Sequence, residues 1–281
     1  MITTIATLAT GVVIDDLRIL LSTLQLFNEA PPTVYIFADT VIAAAIPGLA
    51  YPGTIVVKEQ LNPYSGLTRA DMEKLPGKRG NLFFDFTLEK IELLKWVLRQ
   101  TSDALFCDAD ICFTAPLPII PADKTVGLSP HMIRLSDEAK YGKYNAGFMW
   151  FSSLEAVSLW EKACSTSRFF EQAALEDVAA AFPDSLHLFP VTQNYGWWRL
   201  WQGPENPHSL LAKWAFTPIP LTSGLTIDGV PLGSIHTHFA EQKDMATREF
   251  NEIIRTMLKN VLKTVKYHSP AQQLLFVLAP K

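Results

Sequence analysis

Short β-branched runs alternate with helix-spaced runs through the first 115 residues, and this alternation narrows the possible folds more than any other feature. ITTIATLA (2–9), TVYIFAD (33–39) and GTIVVKE (53–59) read as strands. Residues 13–28 (VIDDLRILLSTLQLFN) and 86–100 (FTLEKIELLKWVLRQ) carry apolar side chains at helical spacing. Strands separated by helices join as crossovers, which predicts an α/β fold with a mainly parallel sheet flanked by helices. Residues 60–81, polar and holding the basic stretch KLPGKRG, read as a loop.

The second half is less regular. TVGLSP (125–130) and YNAGFMWFS (144–152) read as strands, and 153–164, 168–182 and 246–266 as helices, with SLHLFPV (185–191) and SIHTHF (234–239) between the last two. The segment 131–143 reads as a polar connection. NYGWWRLW (194–201) is an aromatic block in a chain with 7 tryptophans.

In such sheets ligands bind at the carboxyl ends of the strands. One strand ends unusually. ALFCDADICF (104–113) closes an apolar run with Asp108 and Asp110. In an extended chain, residues two apart face the same side, so both carboxylates converge on one object. Hard divalent ions such as Mn²⁺ and Mg²⁺ take oxygen ligands and bridge carboxylates to phosphates, so a metal–diphosphate clamp is the chemistry expected there. The competing explanation is ordinary: aspartate is common at strand ends and in turns.

Charge limits the partners. Lys plus Arg total 24 against 28 for Asp plus Glu, a net charge of −4. Nucleic-acid binders carry a basic excess, so glycans, small molecules and proteins rank above nucleic acid as partners. The 3 cysteines, Cys107, Cys112 and Cys164, include no C-x-x-C pair and read as free thiols in a reducing, cytoplasmic compartment. No apolar stretch reaches the ~18 residues of a transmembrane helix. The N-terminus lacks a basic region, and Asp15 and Asp16 interrupt its apolar run, unlike a signal peptide.

ALFCDADICFTAPLP, behind a helix carrying Lys90, resembles the core of GT-A-type glycosyltransferases, in particular the glycogenin-like, nucleotide-sugar-dependent group. YNAGFMWF resembles that group's strand behind the donor sugar, and HTHFAEQK resembles its His–aromatic–x–x–x–Lys element. The resemblance implies a single GT-A-like domain over 1–281. Residues 1–115 would form its nucleotide-sugar half, 116–245 its acceptor and metal half, and 246–281 a C-terminal helix and tail. It implies Mn²⁺ or Mg²⁺ held by Asp108, Asp110 and His238, with His236 as a substitute for the histidine. It also implies a nucleotide-diphosphate sugar, UDP favoured, contacted by Lys90, Asp108, Asn145, Ala146, Gly147 and Lys243. Lys243 lies five residues after His238, where the group usually has six, and no Pro-Trp follows it.

Gln172 is the expected group at the reaction centre, with Asp177 second, both on the helix after the asparagine–glycine strand. EQ at 171–172 departs from the group's D-Q pair. The resemblance leans towards a retaining reaction. Trp197, Trp198 and Trp201 are candidates for an acceptor platform, since aromatic faces stack on sugar rings. Lys78 and Arg79 are candidates for a lid over the phosphates, although a solvated turn explains them as well. The alternatives are a haloacid-dehalogenase-like phosphatase, which the D-x-D superficially resembles, and a non-catalytic nucleotide- or carbohydrate-binding protein.

Overall fold

The computed structural model describes residues 2–217, 219, 221–240 and 245–264, the last four as backbone only. The first half runs β1 (Thr4–Ala9), α1 (Ile14–Phe27), β2 (Thr33–Ala38), α2 (Thr40–Ala45), β3 (Ile55–Glu59), α3 (Arg69–Lys74), a small hairpin of β4 (Pro76–Gly77) and β5 (Gly80–Asn81), α4 (Leu82–Leu98), β6 (Ala104–Cys107) and β7 (Ile111–Phe113). The second half runs β8 (Val126–Pro130), α5 (Leu135–Tyr141), β9 (Tyr144–Phe151), α6 (Leu154–Cys164), α7 (Leu175–Ala181) and β10 (Leu186–Leu188). It continues with β11 (Tyr195–Gly196), α8 (Trp198–Trp201), α9 (Pro207–Ala212), β12 (Trp214–Phe216), β13 (Leu225–Ile227), β14 (Val230–Pro231), β15 (Ser234–His236) and α10 (Met245–Thr264).

A 7-stranded sheet in the order β10-β8-β9-β6-β1-β2-β3 forms the centre. β1 pairs in parallel with β2 and β6, β2 with β3, and β10 with β8. β9 runs antiparallel to both its neighbours. The sheet is therefore mainly parallel, as expected. β1 and β6 are buried along their whole length. Cores lie on both faces. One joins α4, α6 and α7 to the sheet through Leu94, Phe106, Met149 and Trp160; the other seats α1 through Leu17, Leu20 and Leu24. β2 and β6 flank β1 on opposite sides, so the strand order switches at β1, where a crevice opens beyond the carboxyl ends.

Four sequence expectations need correction. ALFCDADICF is not one strand. β6 stops at Cys107, the chain turns with Ile111 N–H donating to Asp108 O at 3.1 Å, and β7 joins a separate 3-stranded sheet, β11-β15-β7. The 60–81 segment is not a plain loop: α3 sits there under a capping box in which Thr68 accepts from Asp71 N–H and Asp71 from Thr68 N–H. The polar 131–143 segment contains α5. The helix read over 168–182 covers only α7, because Phe170 takes a left-handed φ of 41° and Arg168–Ala174 forms turns. Among the described residues, no helix is long and apolar enough to cross a membrane. The apolar tail at 273–280 lies outside them.

Candidate active site

A cavity of about 570 Å³ opens at the carboxyl ends of β1 and β6. Leu8 and Thr10 line it from β1, Asp108 and Asp110 from the turn after β6, Lys90 from α4, and Asn145 and Gly147 from β9. Such a volume is typical of a small-ligand site.

Lys90 is buried and organises one wall. Its Nζ lies 3.1 Å from Asp108 Oδ1, 3.1 Å from Glu171 Oε1 and 3.1 Å from Ala146 O. Those contacts use all the donors an ammonium has. Burial works against its charge, yet Asp108 and Glu171 hold its pKa above the usual lysine range. Lys90 therefore holds the two acids in place at the cavity wall. Asp108 is pushed up by burial and by Asp110, with Lys90 and His236 opposing.

The turn at 108–111 aims Asp110 at β15. Asp110 Oδ1 lies 2.9 Å from His236 Nε2, and Asp110 Oδ2 lies 2.7 Å from His238 Nδ1. Burial alone would raise the Asp110 pKa, but the histidines hold it well below the usual carboxylate range. The ligand atoms of Asp110, His236 and His238 all lie within 4.8 Å of one another. Asp108 Oδ2 is 3.9 Å from His236 Nε2. Trp198 packs edge-on against His236 at 5.1 Å, and Gly147 lies against the same atoms. A Cβ on Gly147 would fall 2.5 Å from His236 Cε1 and 2.6 Å from Asp108 Oδ2, so only glycine fits there.

The floor is a chain of amides. Gly147 N–H donates to Asn145 Oδ1 at 2.9 Å, and Ala146 N–H donates to Gln172 Oε1 at 3.3 Å. Asn145 Nδ2 donates to Gln172 Oε1, and Gln172 Nε2 donates to Tyr141 O at 2.8 Å. The β8–β9 register jumps from Leu128–Met149 to Ser129–Asn145. Asn145 and Gly147 line the cavity at this bulge.

No protein-family model matches this sequence, and no curated protein does. Solved structures do. The galactosyltransferase LgtC, in complex with donor and acceptor sugar analogues, superposes with a TM-score of 0.55 at 12% identity, over 90% of this chain and 95% of that one. The glycosyltransferase GlyE of Streptococcus pneumoniae TIGR4 gives 0.53 at 13% identity, over 98% of this chain but only 63% of that one. Mouse xyloside xylosyltransferase 1 gives 0.50 at 12%, over 85% and 98%. The fold is that of the GT-A glycosyltransferases.

Within this GT-A fold the residues picked from sequence divide clearly. Asp108, Asp110, Lys90, Asn145, Gly147, Gln172, Trp197, Trp198, His236 and His238 all line the cavity. Ala146 does not line it; its carbonyl accepts from Lys90 and its N–H donates to Gln172, both of which do. His236, the substitute in the sequence reading, stands with His238 on Asp110. Asp177 does not reach the cavity and is exposed on α7. Trp201 is turned away, packing on Phe250 at 6.4 Å. Trp198 is buried against the histidines, while Trp197 is half-buried at the cavity wall. Lys78 and Arg79 are exposed on the β4–β5 hairpin, whose backbone N–H groups donate to Asp85. Lys243 lies outside the described residues.

Sequence reasoning passed over Asn194, Asp16 and the aromatic wall of Phe83, Phe86, Phe169 and Phe170. Glu171 entered the sequence reading only as a departure from the D-Q pair, yet it is buried against Lys90. Asp16, on the first turn of α1, lines the cavity with its carboxyl pushed by burial to about 8, and it accepts from Ala240 N–H at 3.0 Å. A paired acid at the start of an apolar helix was the available signal for it.

Proposed function

We propose that this chain is a metal-dependent glycosyltransferase. It moves a sugar from a nucleoside-diphosphate donor, UDP favoured, to a hydroxyl acceptor, and it belongs to the glycogenin-like group. The observation that carries the reading is one cavity, at the strand switch point of a GT-A fold, that holds both a cation-ready Asp–His cluster and a lysine-anchored pair of acids. A phosphatase or a purely binding role finds no comparable support among the similar structures.

The donor set fits a divalent cation. Asp110 Oδ1 and His236 Nε2 are buried without a hydrogen bond although they stand 2.9 Å apart. Asp110 and His238 would hold the ion, with Asp108 beside them. A divalent ion there supplies Lewis-acid neutralisation of the leaving diphosphate. Asp108 and Glu171, fixed by Lys90, accept hydrogen bonds from donor hydroxyls. Asn145, Ala146 and Gly147 form the surface under the sugar.

The groups beside that surface support a retaining reaction. An inverting reaction needs a free carboxylate base at the acceptor hydroxyl. Here Glu171 is committed to Lys90, and the neighbouring group is the uncharged amide of Gln172. Trp197 and the phenylalanine wall suit the apolar face of a glycan, small molecule or protein acceptor. The nucleotide-sugar half is 1–115, the acceptor and metal half 116–245, and 246–281 a C-terminal addition. The buried free cysteines suit a cytoplasmic setting.

The test is thermal denaturation with UDP, GDP, CDP and dTDP sugars, with and without Mn²⁺, followed by nucleotide release in the presence of acceptors. One nucleotide sugar should raise the melting point only with metal, and Asp108→Asn with Asp110→Asn should abolish the response. No shift with any nucleotide would refute the reading.

A further inference from the structure

Beyond Glu171 the cavity changes character. Phe83, Phe86 and Lys90 stand at helical spacing on α4, so one face of that helix carries aromatic rings at one end and the anchoring ammonium at the other. Met72 of α3, Tyr141 at the end of α5, and Phe169 and Phe170 in the turns before α7 complete a bay around those rings. Phe170 meets Phe83 edge-on at 5.2 Å and Phe169 at 4.8 Å, and Tyr141 meets Phe169 at 4.9 Å. The four phenylalanines are half-buried, so each keeps surface that a ligand can cover.

The polar side chains of this stretch are engaged with the protein. Thr87 Oγ1 donates to Phe84 O at 2.9 Å, and Lys140 hydrogen-bonds the Tyr141 hydroxyl. Arg69, at the rim, pairs with Glu73 at 2.7 Å and lies 4.5 Å over the Phe83 ring. Lys90 holds Glu171. Gln172 Oε1 accepts from Asn145 Nδ2 and Ala146 N–H, and its Nε2 donates to Tyr141 O, which leaves a single amide hydrogen. A glycan carries a hydroxyl on most of its carbons, and each one buried without a partner is costly. An aromatic body with one hydroxyl avoids that cost. Its rings cover the phenylalanines, and its hydroxyl needs one partner, at the end of the wall where Gln172 adjoins the acid pair.

We propose that this bay binds a small aromatic alcohol in preference to a glycan, with Phe83 and Phe170 determining that choice. The inference rests on the glycosyltransferase reading only for the role of the compound, which is then the acceptor. In the transfer, the bond from the anomeric carbon to the diphosphate oxygen breaks and its electron pair stays on the diphosphate. The acceptor oxygen bonds to the anomeric carbon, and its proton passes to the departing diphosphate. The products are an aryl glycoside and a nucleoside diphosphate.

The experiment is equilibrium dialysis of methylumbelliferone, a fluorescent phenol, against the protein, alone and with UDP and Mn²⁺, in competition with naphthol and with lactose. Wild type should bind the phenol saturably. Naphthol should displace it, and lactose should fail to do so even at about a hundredfold excess. Phe83→Asn should weaken binding by about 10–100-fold, while Phe83→Leu, which keeps an apolar side chain, should retain most of it. Absence of saturable binding, displacement by lactose at equal concentration, or unchanged binding in Phe83→Asn overturns the inference. The first two are read on the unmutated protein, so misfolding of a variant does not blur the answer. Mass spectrometry of the same mixtures with UDP, GDP, CDP and dTDP sugars separates the two readings. A glycoside of methylumbelliferone upholds both. Phenol binding with neither glycoside nor nucleotide-sugar binding upholds the bay and refutes the enzyme reading. Glycosylated lactose with no binding of either phenol does the reverse.

Discussion

Replacing Lys90 with methionine gives the sharpest test of how the site is held together. Methionine keeps the unbranched stem and removes the ammonium, so the change isolates charge. Lys90 is 8% exposed and Glu171 5%, and Nζ stands 3.1 Å from a carboxylate oxygen of each acid. Removing one partner of a buried ion pair costs about 3–5 kcal/mol, because the remaining charge is left without compensation. In a protein of this size that is roughly 6–20 °C in Tm. The sign with pH follows from Asp108, whose pKa burial already raises while Lys90 restrains it. Without Lys90 it rises further. A carboxyl raised above its unfolded value of about 3.9 costs nothing below that value and the full amount once the pH passes its folded value. The deficit of Lys90→Met should therefore grow as the pH rises from that unfolded value towards neutrality. Urea denaturation of metal-free wild type and variant across that range measures it. Adding Glu171→Gln should restore part of the loss. A deficit under about 1 kcal/mol, or one that is flat with pH, would show that solvent screens the acids and that Lys90 does not hold them.

Other substitutions probe separate parts of the site. Gly147→Ala should cost about 1–3 kcal/mol by overpacking and should abolish Mn²⁺ binding, read by thermal denaturation and titration, because its Cβ would lie 2.5 Å from His236 Cε1. Asp16, raised from 3.8 to about 8, should make metal-free protein less stable as pH rises through that window. The slope should be about 1.4 kcal/mol per pH unit, and Asp16→Asn should flatten it in denaturation curves. Asp110→Asn should eliminate the metal-dependent rise in Tm, about 2.7 kcal/mol at a hundredfold excess over Kd. Thr68→Ala should cost about 1 kcal/mol through the lost α3 cap and speed amide exchange in α3.

The central sheet was legible because its signals are local. β1, β2, β3, β6 and β9 are apolar runs bounded by turns or helices, and strand–helix alternation fixes the crossover topology. Short polar helices were missed because they have little apolar periodicity, although T-x-x-D at 68–71 was a readable capping box. The aspartate pair was read correctly as convergent, but for the wrong geometric reason: an extended chain was assumed where a turn does the work. The two histidines are a different case. β15 ends at His236, and His238 takes a left-handed φ of 54°, so strand alternation does not govern it. The Asn194 contacts span 42 residues to His236 and 49 to Asn145. Nothing in a local window encodes them.

Around the cavity, local backbone rules are broken. Phe170, Asn194 and His238 are non-glycine residues with φ of 41°, 54° and 54°, and each lies in or against the cavity wall. Such conformations cost about 1–3 kcal/mol each and persist only where the surroundings over-determine them. The surroundings do so here by different means. Asn194 is clamped through its backbone N–H to Ser234 Oγ and its amide to Ser129 and Asn145. His238 is fixed by Asp110 on its ring and by Asn251 donating to its carbonyl. Phe170 is held between Phe83, Phe84 and Phe169. Three left-handed residues from distant parts of the chain thus meet at the cavity, while Ala50, Met132, Leu221 and Asp228 are left-handed elsewhere among the described residues. At the cavity these clamps hold an amide, an imidazole and an aromatic wall at fixed angles.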